Sequence, residues 1–280
     1  MKLGRIWSDS MNFAVIGYPI EHSLSPKMHQ AALDKIFPDS SYIRLSIAPE
    51  NLKLGVESLR NLNFRGFNVT IPHKTSIMEF LDEIDSDAQE IGAVNTVVNV
   101  SGKLIGFNTD HLGFLHGLGD FLIENRDVTI LGAGGAARAV YHAFKKNRAR
   151  RITIGVRNLN RAKNFDSAEI FQFEDPEFVE RLATTDLIVN TTPLGMSPNV
   201  DSMPPIDIEK MNSNAFVYDL IYTPELTKFL QESQKRGHRI ANGVPMLVGQ
   251  GAEAFRLWTG KIPDIDSMLD ALLNQLRCKN

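Results

Sequence analysis

The stretch Val128-Thr-Ile-Leu-Gly-Ala-Gly-Gly-Ala-Ala-Arg-Ala139 decides the fold of a large part of this chain. Its apolar start predicts a buried strand, and the residues from Ala136 to Lys146 predict a helix. The glycines between them have the spacing Gly-x-Gly-x-x-Ala, which points to a ligand only when it joins a strand to a helix. The first glycine permits a sharp turn, and the second lets a pyrophosphate approach the backbone. The turn therefore predicts a dinucleotide site, and a glycine-rich turn without a ligand is the alternative. The predicted contacts are Gly132, Ala133, Gly134, Gly135 and Ala136.

The next strand indicates which dinucleotide is bound. An Asp or Glu at its end would bond to the ribose hydroxyls of NAD, but this strand ends with Val156-Arg157-Asn158 and is followed by Arg161. Arginine suits the additional 2′-phosphate of NADP because its guanidinium forms charge-assisted hydrogen bonds. The sequence therefore favours NADP, held by Arg157, Asn158 and Arg161, although Arg161 could also be an exposed basic residue at a helix start.

Short β-branched runs alternate with helical spacing along most of the chain, which predicts parallel sheets covered by helices. One departure is a predicted hairpin, in which residues 96–100 and 104–107 flank Ser101-Gly102-Lys103. We therefore expect an α/β protein of two α/β domains. An N-terminal substrate domain with a mainly parallel sheet comprises residues 1–110 and 245–280, and residues 111–244 form an inserted Rossmann-like NADP domain. Two C-terminal helices are expected, the first starting near Pro245 and ending before Gly260.

Composition limits the class of partner. The net charge is −3, which does not suit nucleic acid, and no apolar stretch approaches membrane-spanning length. The single cysteine, Cys278, permits neither an intrachain disulfide nor a cysteine-based metal site, so no metal is expected. The start of the chain lacks the apolar core of a signal peptide. We expect a cytoplasmic enzyme with a small-molecule substrate, either a monomer or a homodimer.

An enzyme that transfers a hydride to a ketone needs an acid to protonate the developing alkoxide. Tyr141-x-x-x-Lys145 has the spacing used by short-chain dehydrogenases, but it lies on the helix after the glycine turn, so core and surface roles are expected instead. Lys74 is predicted at a helix start beyond a strand. A cation at a helix N-terminus opposes the helix dipole, and this unfavourable placement indicates that the lysine has a function there. Asp110 provides a carboxylate at the inferred domain junction.

Polar residues in loops of the first domain could bind a ligand with several hydroxyls. Ser23 and Ser25 follow the first strand, although Ser25 could simply cap the helix that Pro26 begins. Asn95 stands at the entrance to the hairpin. Gln250 lies on an apolar helix face, where a glutamine is either a hydrogen-bonded amide of the core or a contact to a ligand.

Several of these segments together resemble shikimate dehydrogenases, in identity and in order, over essentially the whole chain after about Asn12. They are Ser23-Leu-Ser-Pro26, Asn68-Val-Thr-Ile-Pro-His-Lys74, Gly92-Ala-Val-Asn-Thr96, Asn108-Thr-Asp110, Gly132-Ala-Gly-Gly-Ala136, Asn190-Thr-Thr-Pro193 with Gly195-Met196, Asp219-Leu-Ile-Tyr222, and Asn242-Gly243 through Gln250.

The resemblance implies reversible NADPH-dependent reduction of 3-dehydroshikimate to shikimate, on the pathway to aromatic amino acids. It implies Lys74 as acid/base with Asp110 as its partner, and Leu220 and Gly243 at the nicotinamide end of the cofactor. The substrate's hydroxyl and carboxylate groups would be bound by Ser23, Ser25, Thr70, Asn95, Tyr222 and Gln250. In two places the chain departs from the family: His111 stands where a glycine is usual, and Val156-Arg157-Asn158 replaces Asn-Arg-Thr.

Two alternatives stay open. A quinate/shikimate dehydrogenase would tolerate an additional C1 hydroxyl and could accept NAD. A regulatory module that binds NADP without catalysis is disfavoured by Lys74 and Asp110.

Overall fold

The computed structural model describes residues 10–162 and 165–277, except for the side chain of Arg161. The chain divides into two compact units. The first unit comprises Met1–Thr109 and Val248–Asn280, and the second unit comprises Asp110–Leu247. The sequence placed these divisions after residue 110 and after residue 244.

The first unit contains a six-stranded sheet in the order β2-β1-β3-β5-β6-β4. Strand β1 is parallel to its neighbours β2 and β3, whereas β5 is antiparallel to β3 and β6, and β4 is parallel to β6. The parallel strands β1 and β3 therefore end at the same sheet edge at which β5 begins. The strands are β1 (Asn12–Gly17), β2 (Ser41–Ser46), β3 (Gly66–Val69), β4 (Glu83–Ile84), β5 (Thr96–Val100) and β6 (Lys103–Phe107).

The helices of this unit come from both ends of the chain. They are α1 (Ser25–Ile36), α2 (Leu52–Asn61), α3 (Ser86–Ile91), the part of α8 (Val244–Thr259) from Val248 onward, and α9 (Ile265–Arg277). Trp258 of α8 is 2% exposed, and its indole Nε1 donates to the Val97 carbonyl at 2.9 Å. A Cβ atom on Gly66 would lie only 2.2 Å from the Trp258 ring, so a glycine in β3 is needed for α8 to pack on this sheet.

The second unit contains a six-stranded sheet in the order β12-β11-β10-β7-β8-β9, and every pair in it is parallel. This is the doubly wound order of dinucleotide-binding domains, whose ligands bind at the carboxyl edge where the strand order reverses. Here that point lies between β7 and β10. The strands are β7 (Asp127–Leu131), β8 (Arg151–Val156), β9 (Glu169–Gln172), β10 (Leu187–Asn190), β11 (Phe216–Asp219) and β12 (Arg239–Ala241). The helices are α4 (Asp110–Gly117), α5 (Gly135–Lys146), α6 (Pro176–Leu182) and α7 (Lys228–Lys235).

The predicted α/β class is confirmed, including the hairpin, whose turn has positive φ at Ser101 and Gly102. The helix predicted from Pro245 begins at Val244 and ends at Thr259, and Gly260 follows with a φ of 68°. The patterns missed β4, β9 and β12, which lie at sheet edges and are short. Within the described ranges, no helix is both long enough and apolar enough to cross a membrane.

Candidate functional site

The glycine turn joins β7 to α5, as the sequence predicted. Gly132 has a φ of 109°, in a region that favours glycine. A Cβ atom there would lie 2.8 Å from Thr191 Oγ1 and 2.9 Å from Thr192 Cγ2. The fold itself therefore requires glycine at position 132, because the turn approaches the loop after β10.

Gly134 and Gly135 differ from Gly132, because a Cβ atom on either would meet no other described residue within 4 Å. Packing within the protein does not explain these two glycines, whereas a ligand that approaches the backbone does. Gly134 is the N-cap of α5 and makes no side-chain capping bond. The helix start thus offers backbone amides and the positive end of a dipole to an anion. Ala137 is fully buried, which accounts for the small third residue of the motif, and Ala133 and Ala136 are half-buried.

Arg157 directly follows β8, next to the glycine turn. The turn and this strand tip are neighbours because Gly132 N–H donates to the Gly155 carbonyl at 2.8 Å. The Arg157 side chain is exposed and forms no ion pair with any described residue. Asn158 Oδ1 accepts from Asn160 N–H at 2.9 Å and so shapes the following loop. The predicted role of the Arg161 side chain lies outside the described residues. The residues present therefore fit a dinucleotide with a phosphate near Arg157.

Leu220 and Gly243, both expected at the nicotinamide end, lie in contact beyond the carboxyl ends of β11 and β12. Gly243 N–H donates to the Ile221 carbonyl at 2.9 Å, and a Cβ atom on Gly243 would lie 2.0 Å from the Leu220 carbonyl oxygen. Tyr222 is half-buried, and burial raises the pKa of its phenol. Gly243 therefore lets this segment pack closely, and Leu220 N–H in turn donates to the Asn190 carbonyl at 3.0 Å.

In the first unit, Asn95 and Gln250 are adjacent buried amides, 2% and 8% exposed, with Asn95 Nδ2 at 3.5 Å from Gln250 Oε1. Asn95 Oδ1 accepts from Thr109 N–H at 2.7 Å. A backbone N–H can only donate, so the Asn95 amide is oriented with Nδ2 as its donor end. The structure thus brings together two predicted substrate-binding residues that lie 155 positions apart.

Ser25 is the first residue of α1, whereas the N-cap is Leu24, which makes no side-chain capping bond. The capping role considered for Ser25 is therefore wrong. The Ser25 amide N–H lies 3.4 Å from Ser23 Oγ, so the two serines are neighbours. The Ser25 hydroxyl also contacts the phenol of Tyr42, whose pKa is raised by burial and lowered by this contact. Tyr42 in turn donates to Asn68 Oδ1 at 2.7 Å.

Thr70 and Lys74 both follow β3. Thr70 N–H donates to the Ile16 carbonyl at 2.9 Å, which extends the pairing with β1 beyond the end of the strand. The α-helix predicted to begin at Lys74 is wrong: Lys74 lies in a turn before a short 3-10 helix, Ser76–Phe80. So short a helix has little dipole, and the expected opposition between a helix dipole and the Lys74 cation does not arise. The half-buried lysine is held by its backbone, since its carbonyl accepts from Val94 N–H at 2.7 Å.

Asp110 is the first residue of α4 in the second unit and is 8% exposed. The next residue, His111, is 3% exposed and packs edge-to-face on His142 with ring centroids 5.1 Å apart. The departure from the family at His111 is therefore accommodated by packing inside the second unit, and its side chain does not occupy solvent.

Tyr141 and Lys145 of α5 have the roles expected for them. Tyr141 is 6% exposed, its hydroxyl accepts from Ser167 N–H at 2.9 Å, and the exposed Lys145 ammonium lies 5.5 Å from the centre of its ring. This pair is structural, and its resemblance to the short-chain dehydrogenase motif is coincidental.

The sequence patterns did not identify several buried polar side chains that are hydrogen-bonded to the predicted residues or to each other. Asn68 and Thr96 support Asn95 in the first unit: Asn68 Nδ2 donates to the Asn95 carbonyl and to Thr96 Oγ1. In the second unit, Asn190 and Asp219 are the last residues of β10 and β11 and are hydrogen-bonded to each other. A polar residue at the end of an otherwise apolar strand was the available signal.

Comparison with known proteins identifies the same family that the sequence motifs resemble. A model of the shikimate dehydrogenase substrate-binding domain matches residues 15–97, and one of the shikimate 5′-dehydrogenase C-terminal domain matches residues 243–273. The NADP⁺ shikimate dehydrogenase of Geobacillus kaustophilus is 39% identical, over 95% of this chain and 98% of that protein.

Two solved structures agree with this over nearly the full length. A crystal structure of a shikimate dehydrogenase in complex with NADP⁺ has a TM-score of 0.90 at 38% identity and covers 99% of each chain. The shikimate 5-dehydrogenase of Thermus thermophilus, in complex with NADP(H) and shikimate, has a TM-score of 0.86 at 37% identity, over 94% of this chain and 99% of that one. The arrangement of glycine turn, strand-tip arginine and buried amides thus occurs in a chain that belongs to the shikimate dehydrogenase family.

Proposed function

We propose that this protein catalyses the reversible NADPH-dependent reduction of 3-dehydroshikimate to shikimate, on the pathway to aromatic amino acids. The observation that carries the proposal is the glycine turn, which faces open space beside Arg157 in a chain similar to shikimate dehydrogenases along nearly its whole length. The activity is an oxidation–reduction between a secondary alcohol and a ketone.

The second unit would hold the cofactor. The amides at Gly134, Gly135 and the start of α5 would bind the pyrophosphate, and Arg157 the 2′-phosphate. Asn158 and Arg161 complete the proposed cofactor set at this strand tip, while Leu220 and Gly243 line the nicotinamide end. When bound, NADPH supplies the hydride that adds to the ketone carbon of the substrate.

The first unit would supply the proton and most of the side chains that bind the substrate. We assign Lys74 as the general acid: its ammonium donates a proton to the ketone oxygen as the C–O⁻ bond develops, and the neutral amine regains a proton from solvent. Asp110 is its proposed partner. In the reverse direction the lysine amine accepts the proton of the hydroxyl.

Neutral polar side chains suit the hydroxyl groups of such a substrate. Asn95 is oriented with Nδ2 as its donor end because Thr109 N–H occupies its oxygen, and Nδ2 lies 3.0 Å from Thr109 Oγ1 and 3.5 Å from Gln250 Oε1. We propose that the substrate's hydroxyl and carboxylate groups are bound by Ser23, Ser25, Thr70, Asn95, Tyr222 and Gln250.

Lys74→Ala tests the assignment of the acid. General acid–base catalysis contributes about 10²- to 10⁴-fold, so we expect kcat for shikimate oxidation to fall within that range. The dissociation constant of NADP should change less than about twofold, because Lys74 belongs to the first unit. Lys53→Ala, at an exposed position of α2 in the same unit, is the matched control and should resemble the wild type. Near-normal turnover of Lys74→Ala would refute the assignment.

Steady-state oxidation of shikimate and of quinate, each with NADP and with NAD, tests the substrate and cofactor. We expect shikimate with NADP to give the highest kcat/KM. Efficient turnover of quinate with NAD would instead indicate the broader quinate/shikimate dehydrogenase, and no turnover with NADP bound would indicate a regulatory module.

We also propose that the enzyme works in the cytoplasm as a monomer or homodimer. Its single cysteine allows no intrachain disulfide, which fits a reducing compartment.

A further inference from the structure

Asp219, the last residue of β11, is a buried carboxylate for which the proposed reaction has no use. Its side chain is fully buried, and burial raises its pKa to about 6, while hydrogen bonds from Thr227, Ile221 and Asn190 lower it. These hydrogen bonds favour the ionised carboxylate, in opposition to its burial. Burying a charge is unfavourable for folding, so its presence calls for a reason other than stability.

Three hydrogen bonds converge on this carboxylate. Oδ2 accepts from the Thr227 hydroxyl at 2.7 Å, and Oδ1 accepts from Ile221 N–H at 3.1 Å and from Asn190 Nδ2 at 3.0 Å. Bonds to an ionised acceptor are about twice as strong as those between neutral groups. One charge thus connects the end of β10, the segment after β11 and the residue before α7.

Each of the connected segments leads to the carboxyl edge of the second sheet. Ile221 lies between Leu220 and Tyr222, and its carbonyl accepts from Gly243 N–H at 2.9 Å. Asn190 Oδ1 accepts from Thr192 N–H at 3.0 Å and from the Thr192 hydroxyl at 2.7 Å. Thr192 belongs to the loop that Gly132 approaches.

We propose that Asp219 is a positioning residue of the reaction, whose carboxylate holds Leu220, Tyr222 and the loop after Asn190 in the arrangement that the nicotinamide and the substrate need. The inference rests on the proposed function, because that function places Leu220 at the nicotinamide end and Tyr222 at the substrate. Asp219 touches neither ligand and acts through its neighbours.

Other titratable groups on the neighbouring elements have partners elsewhere or are exposed. His238 contacts the Ala215 carbonyl, before the start of β11, and Arg239 of β12 forms an ion pair with Asp120. On α7, Glu232 pairs with Lys235 and Arg236, while Lys228 contacts the Asp201 carbonyl. Glu225 is exposed, and Asp186 pairs with Arg126. Among the described residues, none of these charges contributes to the pKa of Asp219, which depends on burial and on its three hydrogen bonds.

Asp219→Asn separates positioning from structural support. The amide oxygen can still accept from Ile221 and Asn190, and the NH₂ group replaces Oδ2 beside Thr227 Oγ1, so the variant resembles protonated Asp219. Because the folded-state pKa is raised, ionised Asp219 lowers stability as pH rises from about 4 to above 6. We therefore expect an equal or higher Tm for Asp219→Asn at pH 7.5, together with a kcat/KM for NADPH that is lower by about tenfold.

The pH profile supplies a second readout. The ratio of wild-type to Asp219→Asn kcat/KM should rise from about 1 at pH 5 to its full value by pH 7.5, with a midpoint near the pKa of Asp219. The ratio is used because titration of the cofactor's 2′-phosphate, whose pKa is about 6, is common to both proteins. A ratio of 1 at every pH, or a lower Tm of the variant at pH 7.5, would overturn the inference.

Thr227 provides a matched pair of variants. Thr227→Val removes the hydroxyl that lowers the Asp219 pKa. When kcat/KM of Thr227→Val is divided by that of Asp219→Asn, the midpoint of this ratio should therefore lie at higher pH than it does for the wild type. Thr227→Ser keeps the hydroxyl and should restore the wild-type midpoint. An unchanged midpoint in Thr227→Val would overturn the assignment to Asp219. The proposed function would fail separately, through absence of NADP-dependent shikimate turnover in the wild type.

Discussion

Gly134→Ala should lower affinity for NADP without destabilising the fold. Gly134 has φ −84° and ψ −168°, which alanine adopts readily, and among the residues that the structure describes a methyl group there meets no atom from elsewhere in the chain within 4 Å. Alanine restricts the unfolded chain more than glycine does, which stabilises the folded protein by about 0.4–1 kcal/mol. Alanine at an N-cap position destabilises the helix by about 0.5–1 kcal/mol relative to glycine. These effects about cancel, so Tm should change by less than about 4 °C.

The same methyl group would occupy the space proposed for the pyrophosphate. Overpacking a close contact costs about 1–3 kcal/mol, which corresponds to a 5- to 150-fold higher dissociation constant for NADP. Titration of NADPH fluorescence and thermal unfolding monitored by circular dichroism give the two quantities. Gly132→Ala is the control, because its φ of 109° and its close approach to Thr191 predict a lower Tm by several degrees. A Gly134→Ala variant with wild-type NADP affinity would refute the reasoning that this glycine leaves room for a ligand.

Two further predictions concern the second unit. Arg157→Ala should raise KM for NADP by about 10- to 100-fold, because a charge-assisted hydrogen bond of about 1.5–3 kcal/mol is lost, and should leave KM for NAD within about twofold. Equal increases in KM for both cofactors would show that Arg157 does not contact the 2′-phosphate. Burial raises the pKa of Asp127, but Arg150 and Arg151 together hold that pKa below its usual value. The ionised carboxylate therefore stabilises the fold above the unfolded-state pKa of about 3.9, and this contribution is lost as pH falls through the lower folded-state pKa. Asp127→Asn should therefore lower the free energy of unfolding in urea by about 1–3 kcal/mol at pH 7 and by progressively less below pH 4, and a difference that does not vary with pH would contradict this.

Local patterns were sufficient for elements whose residues are neighbours in sequence. The strand, turn and helix around Gly132 follow from adjacent residues, and so does the hairpin around Gly102, where the turn needs positive φ. The helix predicted at Lys74 failed because a segment that short is determined by its tertiary contacts, such as the bond from Val94 N–H to the Lys74 carbonyl. The edge strands β4, β9 and β12 were missed for a related reason, since two to four residues carry too little periodicity.

The sequence by itself determined the dinucleotide turn and the preference for NADP, because these depend on residue type and short spacing. Tertiary structure alone decided which distant polar groups meet: Asn95 with Gln250, and Asp219 with Asn190 and Thr227. It also decided which glycines the fold requires and which face open space. The physical reason is that burial and hydrogen bonding between remote segments depend on how strands and helices pack, and no local pattern records that packing.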